Sequence, residues 1–159
     1  MGSLPDIKKA QPAVFREGNA LARNFTWPII MSRKTVGGEC KAAIGAYTVV
    51  NDEGYFLTAF HIVKQWQDML AEKEQTHQLQ AATLATKNDP ALSPADKNRA
   101  LKKVQKPHTN MVDACSLWLG VDGLEFDVWG GLEQIDLAFG KLRDFNPANV
   151  KTYPTFKDP

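Results

Sequence analysis

Apolar and polar positions divide this chain into two strand-rich regions with a helical one between them. Asn24 to Ser32 carries Phe25, Thr26, Trp27, Ile29, Ile30 and Met31, and reads as a first strand. Pro28 has no N–H to give a ladder, so it places that strand at an edge or at a bulge. Ala42 to Val50 and Tyr55 to Phe60 are rich in β-branched and aromatic residues and predict two more strands. Asn51, Asp52, Glu53 and Gly54 join these two as a hairpin, with Gly54 free to take a positive φ.

The pattern changes after Val63. Lys64 to Thr86 contains no Pro or Gly and is full of Gln, Ala, Leu, Glu and Lys, which predicts a helix. Trp66, Met69 and Leu70, and later Leu84 and Ala85, form its apolar stripe, interrupted by Lys73 and His77. Asn88, Asp89 and Pro90 stop it. Ser93 then offers an N-cap, with Pro94 at the first helical position and Asp96 placed for a capping box, so a second helix runs to about Gln105. Strand character returns at Met111 to Leu119. It continues, after a turn at Gly120 to Gly123, from Leu124 to Trp129, and then, after Gly130 and Gly131, from Ile135 to Leu142. A short helix around Val14 to Ala22 precedes the first strand.

Three strands, two helices and three strands, joined mostly by tight turns, predict a mainly β architecture. The expected form is a six-stranded antiparallel barrel with an inserted helical segment. On this reading residues 1–23 are an N-terminal extension and 24–142 the barrel, with the helical insertion over 64–106; 143–159 is a proline-punctuated linker.

Composition narrows the function classes. The 159 residues are 43% hydrophobic and 23% charged, the balance of an ordinary folded domain. A net charge of +1 gives no global reason to expect nucleic acid or an anionic membrane as partner. The basic stretch from Lys97 to Lys106 has no interleaved aromatic residues and reads as a solvated helix face. No apolar run approaches the roughly 20 residues of a membrane-spanning helix, and Met1 to Ala20 has no apolar signal region. Cys40 and Cys115 fit no metal spacing and read as free thiols, which points to a reducing, cytoplasmic setting. His61, His77 and His108 show no paired spacing for zinc, so neither metal nor cofactor is expected.

The candidate chemistry lies at two places. Gly54 to Val63 is a strand-like run that brings His61 to its end, and Ile135 to Phe139 sets Asp136 at the head of a later strand. Taken separately, His61 reads as a satisfied strand-end histidine and Asp136 as a helix-cap or turn acid. Taken together, Gly45 to Val63 resembles the segment of trypsin-like serine peptidases that carries the triad histidine, in the variety where valine rather than cysteine follows it. Ile135, Asp136, Leu137 and Ala138 resemble the motif that carries the triad aspartate. Phe60 departs from the small residue usual before that histidine.

The resemblance implies a two-barrel serine endopeptidase, with this chain forming the first barrel. His61 would be the general base and Asp136 the group that orients it. A serine hydroxyl is a weak nucleophile, so an imidazole must take its proton during attack and return it to the leaving amine. Ser3, Ser32, Ser93 and Ser116 all lack the Gly-x-Ser-Gly-Gly setting of the family's nucleophile. The serine is therefore expected on a second barrel beyond Pro159, and the chain alone is expected to be inactive. Its implied partners are that second barrel and a protein or peptide substrate. The alternative is a non-catalytic module that keeps the fold to bind a protein, with the helical insertion as docking element. Thr35 to Gly38, after a basic pair, resembles a zymogen activation site; lying only 26 residues before His61, it reads instead as a glycine-rich turn.

Overall fold

The computed structural model describes residues 13–120 and 125–155. The expected turn over 121–123, the start of the strand after it and most of the N-terminal extension lie outside the described residues. The elements in chain order are α1 (Ala13–Ala22), β1 (Thr26–Thr35), β2 (Cys40–Val49), β3 (Tyr55–Ala59), α2 (Phe60–Asn88), α3 (Pro94–Lys103), β4 (Val112–Leu119), β5 (Phe126–Leu132) and β6 (Leu137–Leu142). Single 3-10 turns at Glu133–Ile135 and Pro147–Asn149 flank β6.

The six strands form one antiparallel sheet in the order β4-β1-β2-β3-β6-β5. The mainly β, antiparallel architecture therefore stands, but the hydrogen-bonded ladder is open. β4 and β5 are its two edges, and no strand pairing joins them among the described residues.

Alternation sets which face is buried. Ile29 and Met31 of β1, Tyr47 and Val49 of β2 and Phe56 of β3 all lie at 2% exposure or less on one side. Their rings run across the strands: Trp27 to Tyr47 and Tyr47 to Phe56 at 5.9 Å, then Phe56 to Phe126 at 5.5 Å. The last contact passes over Gly140 of β6, so the sheet curls to bring β3 and β5 side chains together. Ile62 and Met69 of α2 close this core from above. Val150 reaches it from the segment after β6, with Phe145 and Tyr153 packed alongside. No helix among the described residues is long and apolar enough to cross a membrane.

Several sequence expectations shift. Pro28 does not mark an edge strand, because β1 lies between β4 and β2. Its carbonyl accepts from the Gly120 N–H, so its N–H-less nitrogen faces the same side, where β4 has already ended at Leu119. The hairpin forms as expected, with Gly54 at φ 85° and the Tyr55 N–H donating to the Asn51 side chain at 3.1 Å. The helical segment is one long helix followed by a short one, and Ser93 caps the second by accepting from the Asp96 N–H. Yet α2 begins at Phe60, four residues before the expected start, and its stripe is Ile62, Val63, Met69 and Thr76. Leu84, expected within the stripe, is 59% exposed because that half of α2 runs past the sheet.

Candidate functional site

β3 and β6 are neighbours in the sheet, with Ala59 paired to Leu137. The residue after Ala59 opens α2, and the residue before Leu137 is Asp136. The chain reversal there holds Asp136 in the left-handed region, φ 52° and ψ 42°, after the 3-10 turn. Aspartate tolerates that conformation better than a branched residue would.

A helix start leaves backbone N–H groups without intrahelical partners, and Ala59 at the N-cap has no side-chain oxygen to offer. Asp136 supplies the missing acceptors from 75 residues away. Its backbone oxygen accepts from the Phe60 N–H at 3.1 Å, and its Oδ1 accepts from the His61 N–H at 2.9 Å. Its other oxygen, Oδ2, lies 2.7 Å from His61 Nδ1. One residue thus both caps α2 and holds the imidazole on its first turn.

The electrostatics agree with this geometry. A carboxylate at a helix N-terminus meets the positive end of the helix dipole. The His61 backbone N–H and then the His61 ring hold the Asp136 carboxyl below its usual range, by stabilising its charged form. An ionised carboxylate can only accept, so His61 Nδ1 carries the hydrogen, and in the neutral ring the lone pair is then on Nε2. The His61 side chain is 65% exposed, so that lone pair faces solvent.

Phe60 does not crowd the imidazole. Its ring lies over Gly131 of β5, where any side chain would run into it. Lys64 pairs with Glu133 at 3.3 Å on the other flank, an exposed contact of little energetic weight.

The structure therefore brings His61 and Asp136 together and leaves the serines elsewhere. Ser32 and Ser116 bond each other across β1 and β4 at 2.7 Å, and Ser93 caps α3. Ser3 lies outside the described residues. Cys40 and Cys115 are both free thiols. Among the described residues no group of His, Cys, Asp and Glu is arranged to hold a metal.

Sequence reasoning missed the capping role in trans. No protein-family model matches the chain, and no curated protein or solved structure matches it either.

Proposed function

We propose that this chain supplies the general base and its orienting carboxylate to a serine endopeptidase, with His61 as base and Asp136 behind it. The observation that carries this reading is the 2.7 Å bond between His61 Nδ1 and Asp136 Oδ2, with Nε2 left open to solvent. Such a pair does what acyl transfer needs. The carboxylate fixes the tautomer and stabilises the imidazolium that forms, while Nε2 takes the proton from an attacking hydroxyl and returns it to the leaving amine.

In this reading the open six-stranded sheet is the first barrel of a trypsin-like fold. The nucleophilic serine and the N–H groups that stabilise the oxyanion stand on a second barrel. A peptide substrate lies between the two. The 159-residue chain then has no hydrolytic activity of its own.

A second reading is supported by Asp136 Oδ1. That oxygen serves the helix rather than the imidazole, and a non-catalytic binding module would keep it for stability.

The test is to express the chain together with the coding sequence that follows it and treat it with a fluorophosphonate serine probe. Labelling is expected on one serine, and His61→Ala abolishes it. Labelling that survives His61→Ala, or no labelling of a folded product that contains a downstream Gly-x-Ser-Gly-Gly segment, overturns the catalytic reading.

A further inference from the structure

The gap between the two sheet edges is a cavity of about 700 Å³, within the usual range of ligand sites. β4 forms one wall through Cys115, Ser116 and Leu117, and β5 forms the facing wall through Phe126 and Val128. One face of α2 lies along it, with Val63, Trp66, Leu70 and Lys73 in sequence. Neither His61 nor Asp136 lines it.

Three features say what fits there. The first is main-chain chemistry. β4 pairs only with β1, so its other edge presents backbone N–H and C=O groups to the cavity. Among the described residues, α2 side chains hydrogen-bond to β4 at Asp113 alone. Asp113 is skipped in the β1 ladder, between the Lys34–Ala114 and Thr35–Val112 pairs. The His77 ring donates to its carbonyl, and Gln80 donates to its side chain, both at 3.0 Å. From Cys115 to Leu117, where the cavity opens, no such side-chain cover exists among the described residues.

The second feature is shape. Val63 to Lys73 spans about 15 Å of helix axis, which matches about five residues of extended chain. Alternate residues of such a chain face α2 and meet Trp66, then Leu70, then Lys73.

The third feature is charge. Glu125 and Asp127 on the β5 side are both engaged by Arg143, at 2.7 and 2.6 Å. Lys73 has no carboxylate partner among the described residues. It lies close enough to Cys115 to act on that thiol, which burial pushes up and Lys73 draws down.

From these features we infer that the seam between β4 and β5 binds an extended peptide of a partner protein, which adds as a strand to β4. Its inward positions are apolar against Trp66 and Leu70 and acidic against Lys73. Main-chain pairing supplies the affinity, and the alternate side chains supply the selectivity.

The probe is a capped, fluorescein-labelled pentapeptide of valine, threonine, leucine, threonine and glutamate, together with its reversed sequence. Anisotropy is measured on the whole chain. Saturable binding of one peptide is expected, weakened about 5- to 10-fold by Lys73→Glu, and regained when lysine replaces the glutamate of the peptide. N-methylation at alternate residues, tried in both registers, is expected to abolish binding in one register and spare the other. Leu70→Arg serves as a second groove variant, and circular dichroism checks that each variant is folded. Three results overturn the inference. One is no saturable binding at millimolar protein. Another is binding indifferent to Lys73→Glu and to both N-methylated peptides. The third is a concentration-dependent dimer in sedimentation that the peptides do not dissociate, which assigns the edge to a second copy of the chain.

Discussion

The two halves of α2 are built from similar residues and meet opposite surroundings. From Phe60 to Thr76 the helix lies on the curled sheet, burying Ile62, Val63, Met69 and Thr76 and carrying His61 on its first turn. From His77 to Asn88 it runs beyond the sheet, touches β4 through His77 and Gln80, and leaves Leu84 exposed. Both halves are free of Pro and Gly, so intrinsic propensity supports helix throughout. What differs is tertiary docking, the main source of helix stability in folded proteins. The candidate site lies on the docked half, where its geometry is held from below.

The sharpest way to break this contrast is Met69→Ala. Met69 is 5% exposed, and removing its side chain from a packed interface costs about 2–4 kcal/mol. Urea unfolding followed by circular dichroism should show that loss; a shift no larger than that of a surface variant would mean the first half is not anchored as described.

Next in size is Asp136→Asn, which removes the charge while keeping an acceptor near the helix start. The folded carboxyl titrates below its unfolded value of about 3.9, so the charged form stabilises the fold above that pH. The contribution is lost as pH falls through the lowered folded value. The wild type should therefore exceed Asp136→Asn in urea midpoint at pH 7, and the gap should close below about pH 4. A gap that is the same at pH 7 and pH 2 refutes the charge-based cap.

The smallest effect belongs to Leu84→Ala on the overhanging half. It should stay within about 0.5 kcal/mol of wild type in the same urea experiment. A larger loss would show that a surface covers Leu84.

Much of this architecture was legible in the residues. Strand order in sequence, the Asn51 to Gly54 hairpin and the Ser93 cap follow from alternation, turn chemistry and capping. Each of these is a local rule acting over a few positions. The pairing of His61 with Asp136 was legible only through motif resemblance, since no local rule reaches across 75 residues. Two things were not legible. The helix start at Phe60 depends on a cap donated by another strand: Ala59 at the N-cap has no side-chain oxygen, and the Thr58 hydroxyl is spent on the Ala46 carbonyl. The open seam depends on how far the sheet curls, which is set by ring contacts such as Phe56 with Phe126 rather than by any strand's own pattern. The interior position of β1 was missed for a related reason: whether a proline's missing donor matters depends on where the neighbouring strand stops.

The double use of Asp136 ties local melting to the placement of the His61 ring. Fraying the first turn of α2 breaks the bond from the His61 amide to Oδ1, and it frees the imidazole from Oδ2 in the same event. The fraction of molecules in which Asp136 holds the imidazole then equals the fraction with this one turn closed. Exchange of the His61 amide with solvent deuterium becomes a running count of molecules whose imidazole has lost its carboxylate.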